Sequence, residues 1–394
     1  MADIIPHIPK MLTNQELVQA MAVYPPYSDT IREADDATRL LALDDIYNIY
    51  HPSVLSIEVY NKIYLSLIHS LKLRNSPQLY HGISGGADSF SVLANSGFGK
   101  STAVARAISL IMPTPYLKLE HPYQLFIPII VVPCPFNCSL KSITLLILEQ
   151  IDSTIGTSYV TDALRERLNS DMLISRLSKI VKLHIGHIVV EEIENLINNR
   201  NAKQLVGFLT QLINSGISIS FVGTHQARPF IEDFMLARRM QALVYSNFAL
   251  DDYFRSLCKI LWSYQYVRNK TEIDEGTILW LYNHSQGIVA IIVSIIHDAQ
   301  EIAILDGRET LNIDTLSDAF NARLSLLHPF IKPAKTKMTP MANEKLPETK
   351  TENEKNDTVI KDAITTAKET GLDIITYLSS IVPVERISVE DISF

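Results

Sequence analysis

Residues 89–111 read SFSVLANSGFGKSTAVARAISLI, an apolar strand pattern, a glycine-containing turn and an amphipathic helix pattern in direct succession. Glycines in such a turn let backbone N–H groups surround a phosphate group, and a lysine at the start of the helix reaches the phosphate oxygens. A hydroxyl directly after the lysine is placed to ligate Mg²⁺. The stretch therefore predicts a strand, a phosphate-binding loop (P-loop) and a helix, with ATP and Mg²⁺ as cofactors. The predicted loop residues are Asn95, Ser96, Gly97, Phe98, Gly99, Lys100, Ser101 and Thr102.

Ala94 stands where this loop pattern usually begins with glycine. The loop tolerates a methyl group there only if the local backbone dihedrals are compatible with a Cβ atom. An ordinary strand-to-helix turn is the alternative interpretation, but such a turn does not need Gly-Lys-Ser at the start of its helix.

The run Ile188-Val189-Val190 is followed by two acids, Glu191 and Glu192. After a P-loop, paired acids at a strand end indicate a nucleotide site, in which the first organises Mg²⁺ and the second polarises the attacking water. Glu191 is longer by one methylene than the aspartate usual at the first position, which matters for an ion that demands near-octahedral geometry. A solvated strand edge is the alternative.

Two further motifs point to the same chemistry. Thr224 follows the apolar run 217–222, where a polar side chain would meet the γ-phosphate; a strand-terminating turn is the alternative. Arg238 and Arg239 fall on the helix expected next. Arginine suits bidentate phosphate contact and can be supplied in trans to complete hydrolysis, although exposed arginine pairs are often only solvated.

Strand patterns at 89–93, 125–132, 185–190 and 217–222 alternate with helical patterns, which predicts an α/β fold with a parallel sheet covered by helices. Residues 1–75 are expected to form an N-terminal helical extension that packs on a nucleotide-binding domain at 76–247. The wholly helical pattern over 248–331 predicts an α-helical lid subdomain.

Residues 332–356 are rich in Lys, Glu, Thr, Asn and Pro, a composition typical of a flexible linker. Residues 357–394 carry apolar side chains at helical spacing. We interpret 357–394 as a partner-binding tail, and a helix that folds back onto its own domain stays open as the alternative.

Composition limits the remaining function classes. With 35 Lys+Arg against 43 Asp+Glu the net charge is −8, so any DNA contact must be a local patch. The 3 cysteines are too few for a disulfide framework and suit a reducing compartment. The first ten residues carry no apolar signal region, and the longest apolar runs fall short of a membrane span, so we expect a cytoplasmic protein.

Taken together, the motifs of residues 70–330 resemble the TnsC-type AAA+ ATPases of transposons. The resemblance rests on the P-loop and on the following segments: VPCPFNCSLK at 132–141, VEEIENL at 190–196, VGT at 222–224, ARR at 237–239 and SQGI at 285–288, where that family lacks the usual sensor arginine.

The resemblance implies an AAA+ P-loop ATPase in a bacterial, DNA-associated setting. It would assemble with ATP on double-stranded DNA as a homo-oligomer, ring or helical filament, and link a TniQ/TnsD-like target selector to a transposase. The resemblance implies that Lys100 and Ser101 hold nucleotide and Mg²⁺, that Glu191 supports the Mg²⁺ shell and that Glu192 orients the catalytic water. It implies that Thr224 is the sensor residue and that Arg238 or Arg239 is an arginine finger, which acts across a subunit interface. Lys141 would face a DNA channel.

Two other functions stay open at this point. One is a nucleotide-binding DNA scaffold with little turnover, which steady-state ATPase assays with and without DNA would separate from an ATP-driven switch. The other is a different AAA+ module, such as a replication initiator or a signalling NTPase of a defence system.

Overall fold

The structure, a computed structural model, describes residues 4–75, 88–119, 125–136, 139–166, 168–196, 202–214, 216–232 and 240–324. All of them belong to one compact unit, Met1–Ala334. The predicted linker (332–356), the predicted tail (357–394), Arg238 and Arg239 lie outside the described residues.

A six-stranded sheet forms the centre of the unit, in the order β2-β3-β4-β5-β1-β6. All neighbours pair in parallel except β2, which is antiparallel to β3. The connection after β1 runs toward β3 and the connection after β5 runs the other way, to β6. A ligand crevice is expected at such a switch point, beyond the carboxyl end of β1. The strands are β1 Ser89–Leu93, β2 Leu117–Lys118, β3 Leu125–Pro133, β4 Ile185–Glu191, β5 Ser218–Gly223 and β6 Met240–Val244.

Helices cover both faces of this sheet and form a separate cluster after β6, which confirms the predicted α/β class with a helical lid. Several begin with side-chain caps, such as Thr13 and Asp251, which satisfy backbone N–H groups of the first turn. The helices are α1 Asn14–Met21, α2 Asp36–Leu43, α3 Val54–Asn75, α4 Lys100–Ile111, α5 Leu140–Ile155, α6 Tyr159–Arg165, α7 Ser170–His184, α8 Ala202–Asn214, α9 Arg228–Ile231, α10 Asp252–Ser263, α11 Glu275–Ser285, α12 Val289–Leu305 and α13 Ile313–Ala319.

Three apolar cores hold these layers together. On one face of the sheet, α5, α7 and α8 contribute residues such as Ile147, Leu177 and Leu212. On the other face, α1, α3 and α4 pack against residues of β1. The third core joins α10–α13 with Leu43 and Ile46 of the N-terminal segment. The N-terminal segment therefore belongs to two cores: α1 and α3 pack on the sheet, and the α2 region packs on the lid.

A buried ion pair ties the α2 region to the lid. The fully buried Arg39 donates from Nη1 and Nη2 to the two carboxylate oxygens of Glu309, each at 2.6 Å. It also donates to Asp36 at 2.7 Å and to the carbonyl oxygen of Tyr266 at 3.0 Å. The buried guanidinium is stabilised because its two terminal nitrogens are paired in this bidentate geometry, whereas its Nε has no hydrogen-bond partner among the described residues. We call residues 25–48 together with 252–319 the lid body.

None of the helices in the described ranges is by itself long and apolar enough to cross a membrane; α11 and α12 together pass by length and composition, but they are bent by 119°.

A buried histidine lies in the middle of the sheet. The two ring nitrogens of His187 are hydrogen bonded to Ser218 Oγ at 2.7 Å and Ser220 Oγ at 2.9 Å, and the ring stacks on Phe90. Complete burial lowers the pKa of His187 from 6.5 to about 3, because the apolar surroundings disfavour the charged imidazole. His187 is therefore neutral in the folded protein at neutral pH.

We predict that His187 makes the folded state less stable as the pH falls from 6.5 toward 3. In this window the unfolded chain binds a proton that the folded chain does not, so the free energy of unfolding drops by up to roughly 1.4 kcal/mol per pH unit. Urea unfolding between pH 7 and 4 measures the slope. His187→Gln should flatten it, while His7→Gln, at an exposed histidine, should not. Equal slopes in wild type and His187→Gln would show that the effect comes from other groups.

Candidate functional site

The predicted P-loop is present between β1 and α4. Gly97 and Gly99 have φ values of 76° and 96°, in the left-handed region that favours glycine. Ala94 is buried and is not among the described residues with positive φ, so the loop accommodates its methyl group. The loop is thus formed despite the missing first glycine.

A cleft of about 290 Å³ opens over this loop, beyond the carboxyl ends of β1, β4 and β5. We call it the P-loop cleft. It brings together Ser96, Gly97, Gly99, Lys100, Ser101 and Thr102 of the loop, Glu192 and Glu194 after β4, and Val222, Gly223 and Thr224 at the end of β5.

Lys100 is the cationic side chain among the described residues that line the cleft. Its Nζ donates to the carbonyl oxygens of Ala94 at 3.0 Å and Asn95 at 2.9 Å. Burial lowers the pKa of Lys100, and the negative charges of Glu194 and Glu191 oppose that shift. The ammonium group is therefore partly desolvated and is hydrogen bonded to the backbone of the P-loop.

Three glutamates lie at the end of β4 and directly after it, and each has a different environment. Glu191 is the half-buried last residue of the strand; it is not among the described residues that line the cleft, although its charge acts on Lys100. Glu192 is exposed, with φ at 55°, a strained value for a residue with a side chain. Glu194 is half-buried in the short helical turn Ile193–Leu196. The sequence motif predicted roles for the first two only.

Asn195 connects this turn to the neighbouring strand. Its Nδ2 donates to the carbonyl oxygen of Cys134 at 2.8 Å and, at 3.4 Å, to the Glu192 carboxylate. Its backbone N–H donates to the Glu192 carbonyl at 3.0 Å. These contacts hold the left-handed turn that directs Glu192 to the cleft.

Thr224 has one satisfied and one unsatisfied polar group. Its backbone N–H donates to Glu194 Oε2 at 3.0 Å. Its Oγ1 is buried and has no hydrogen-bond partner among the described residues. A buried hydroxyl without a partner is costly, so this atom is suited to bind a molecule that enters the cleft.

A second cavity, of about 640 Å³, adjoins the first and shares Gly97, Gly99 and Thr102 with it. We call it the aromatic cavity. Three parts of the chain enclose it: the N-terminal segment, the P-loop with α4, and the lid helices α10 and α12. Its aromatic and histidine lining residues are Tyr47, Tyr50, His51, Phe98, Phe248 and Tyr253.

The walls of the aromatic cavity are held by specific contacts. His51 stacks on Tyr253 with 5.3 Å between ring centroids, and its Nδ1 is hydrogen bonded to the Tyr24 hydroxyl at 2.7 Å. Burial lowers the pKa of His51, which favours the neutral imidazole. Arg106 lies over the ring of Tyr50, 5.7 Å from its centroid. A flat aromatic group could stack in such a space next to the cleft.

The lid touches the P-loop through its backbone. The N–H of Ala290, in the first turn of α12, donates to the carbonyl oxygen of Gly97 at 3.1 Å. A Cβ at Gly97 would lie 2.9 Å from Ala290 Cβ and 3.1 Å from Ile288 Cγ2. Gly97 is therefore needed for the approach of the lid as well as for the shape of the loop. Helix α12 contains no arginine.

The remaining predicted residues are placed as follows. Phe98 turns away from the cleft and stacks on Phe248, with 4.3 Å between ring centroids. The side chain of Asn95 donates to Asn247 Oδ1 at 2.6 Å. Lys141 is exposed in the first turn of α5, directly after the loop that follows β3. Arg238 and Arg239 lie outside the described residues.

Sequence comparison connects the sheet and its cleft to one family. Residues 84–250 match the family model described as "Bacterial TniB protein", a segment that runs from just before β1 to just after β6. The match covers less than half of the chain and excludes the N-terminal segment and the lid helices. No curated protein matches the chain.

Several solved structures are similar to it in fold. The Orc1 protein of Aeropyrum pernix in complex with DNA is 16% identical, with a TM-score of 0.45 over 89% of this chain and 83% of that chain. A Drosophila ORC chain bound to DNA is 12% identical, with a TM-score of 0.47 over 95% and 82%. Domain III of the Thermotoga maritima replication initiation protein DnaA is 14% identical, with a TM-score of 0.36 over 69% and 93%. The chain itself has a mostly parallel α/β sheet with a P-loop after β1 and an α-helical lid after β6.

We predict that Gly97→Ala destabilises the protein more than Gly99→Ala. Both residues have positive φ, but a Cβ at Gly99 would meet nothing within 4 Å, whereas one at Gly97 would collide with the lid. We expect roughly 1–3 kcal/mol for Gly97→Ala, the usual scale of overpacking, and about 1 kcal/mol for Gly99→Ala. Urea unfolding measures both losses.

Ala290→Gly provides the control, because it removes the Cβ atom nearest to the new methyl group. It should restore part of the stability that Gly97→Ala loses and none of the stability that Gly99→Ala loses. Equal effects of Ala290→Gly in both backgrounds would contradict the contact between loop and lid.

Proposed function

We propose that the protein is an AAA+ ATPase that assembles with ATP on double-stranded DNA as a homo-oligomer and links a target-site selector to a transposase. The proposal that the protein binds ATP rests on two adjoining cavities. One is a polar cleft over the P-loop, and the other is an aromatic cavity that shares loop residues with it. Such a pair suits a polyphosphate joined to an aromatic base.

The cleft residues fit a nucleotide and Mg²⁺. The left-handed glycines open the loop toward a phosphate group, and Lys100 supplies a partly desolvated cation. Thr224 Oγ1 is buried and has no hydrogen-bond partner in the described part of the chain. Ser101 lines the cleft and would hold Mg²⁺ together with an acid of the β4 end. When bound, Mg²⁺ neutralises phosphate charge and orients the phosphate oxygens.

The acids after β4 would divide the remaining work. Glu192 lines the cleft, and we assign it the orientation of the attacking water. Glu191 lies one residue earlier, at the strand end, and we assign it the outer Mg²⁺ shell. Thr224 would sense the terminal phosphate through its hydroxyl. Arg238 or Arg239 would complete the site of a neighbouring subunit.

The DNA and transposition parts have separate support. The TniB family, whose model matches the sheet and cleft, is transposition-related. The motif order resembles TnsC-type ATPases, which implies assembly on DNA and contact with a transposase and a TniQ/TnsD-like selector. Lys141, exposed beyond the carboxyl end of β3, is our candidate for DNA contact.

We predict that Lys100→Ala weakens binding of a fluorescent ATP analogue by roughly 10- to 100-fold, the scale of hydrogen bonds to a charged group. Lys118→Ala, at an exposed lysine of β2, is the matched control and should bind normally.

Glu192→Gln should retain binding and lose turnover by about 100-fold, since the role of Glu192 is realised only in the transition state. Unchanged affinity in Lys100→Ala would overturn the nucleotide site, and wild-type turnover as slow as that of Glu192→Gln would favour a scaffold over a switch.

We predict that ATP-dependent binding to duplex DNA weakens steeply with salt, since an acidic chain binds DNA only through a local basic surface. The slope of log affinity against log salt should be about −0.9 for each phosphate neutralised, and Lys141→Ala should make it about one phosphate shallower. Fluorescence anisotropy at several salt concentrations measures it. Salt-independent binding, or binding to one sequence only, would contradict the proposal.

A further inference from the structure

Glu194 is an acid of the cleft that the paired-acid motif does not include. The turn Ile193–Leu196 directs its side chain from the end of β4 across to the end of β5. There the turn lies against the backbone of Gly223: a Cβ at that position would be 2.5 Å from Ile193 Cγ2 and 2.6 Å from Glu194 Oε2. The glycine is needed because only a hydrogen fits beneath the side chains of Ile193 and Glu194.

The carboxylate accepts a hydrogen bond from the backbone of a residue that lines the cleft. Thr224 N–H donates to Glu194 Oε2 at 3.0 Å, and Thr224 Oγ1 is left buried without a partner among the described residues. If the backbone at Thr224 shifted, its hydroxyl would shift as well. Glu194 therefore determines where this hydroxyl lies, although it does not bond to it.

The same carboxylate brings negative charge to the place where a polyphosphate would bind. Both Glu194 and Lys100 line the cleft, and the negative charge of Glu194 opposes the lowering of the Lys100 pKa by burial. A polyphosphate in the cleft would compete for Lys100 and face the half-buried carboxylate at the same time. This repulsion is reduced when a divalent cation lies between the two groups of like charge.

We propose that Glu194 is a positioning residue of the P-loop cleft: it sets the Thr224 hydroxyl through the Thr224 backbone, and its charge makes polyphosphate binding dependent on a divalent cation. This inference rests on the proposed nucleotide site and names a constraint within it. The Glu194 side chain thus has two roles: it accepts a hydrogen bond from the Thr224 N–H, and it brings negative charge to the cleft.

Two variants of the full chain distinguish these roles. Glu194→Gln keeps an acceptor for the Thr224 N–H and removes the charge, whereas Glu194→Ala removes both. Glu149→Gln, at an exposed carboxylate on α5, is the control for loss of one negative charge. For each chain, affinity for a fluorescent ATP analogue is measured with Mg²⁺ and with EDTA, and kcat and KM are measured with Mg-ATP.

We expect Glu194→Gln to bind the analogue in EDTA about tenfold more tightly than wild type, with little change in Mg²⁺, so that the ratio of the two affinities falls. Its kcat should stay within about threefold of wild type. Glu194→Ala should have a kcat about tenfold lower than wild type at a similar KM, because the loss of one hydrogen bond to a charged group has this scale. Glu194→Gln keeps the hydrogen-bond acceptor and should therefore retain the wild-type rate. Glu149→Gln should behave as wild type.

Each failure has a distinct meaning. An unchanged ratio of affinities in Glu194→Gln would overturn the role of the charge, and wild-type kcat in Glu194→Ala would overturn the positioning of Thr224. If wild type and Lys100→Ala bound the analogue equally weakly, the proposed nucleotide site itself would fall. Thermal unfolding of each variant separates loss of folding from loss of function. Glu194→Gln should unfold at the same temperature as wild type, because it retains the hydrogen bond to the Thr224 N–H.

Discussion

The hydrogen bond from Ala290 N–H to the Gly97 carbonyl is the contact on which the site depends. It joins the P-loop to the first turn of α12 at 3.1 Å, and it can form only because residue 97 has no side chain. The contact forms part of the wall of the aromatic cavity, which both residues line. The glycine pattern of the loop thus serves both phosphate geometry and the packing of the lid.

The three glutamates after β4 show how the backbone assigns different environments to one residue type. Glu191 ends a parallel strand, Glu192 occupies a left-handed turn, and Glu194 lies within the next helical turn. Glu192 is consequently exposed, whereas Glu191 and Glu194 are half-buried, and Glu194 accepts a hydrogen bond from the Thr224 N–H. The charges of Glu191 and Glu194 converge on Lys100, so the partly desolvated cation has acidic neighbours on the side of the cleft opposite its own loop.

The sequence predicted those parts of the structure that have strong local signals. The P-loop and four parallel strands were predicted because long apolar runs alternate with helical patterns. Strand β6 was not, since its residues are largely exposed at the sheet edge and its composition is ordinary. Glu194 could not be predicted, because its contact with Thr224 joins residues 30 positions apart. The N-terminal wall of the aromatic cavity is equally a tertiary contact, formed by residues that precede the loop by about 50 positions.

The attachment of the lid body to the sheet has a consequence for the aromatic cavity. The chain crosses between them at Val23 and Tyr50, which pair by two backbone hydrogen bonds, and at 245–251. Val23, Tyr50 and Phe248 all line the aromatic cavity. Both crossings between the lid body and the sheet therefore border the aromatic cavity, and a molecule in this cavity would contact the chain at the two places that join them.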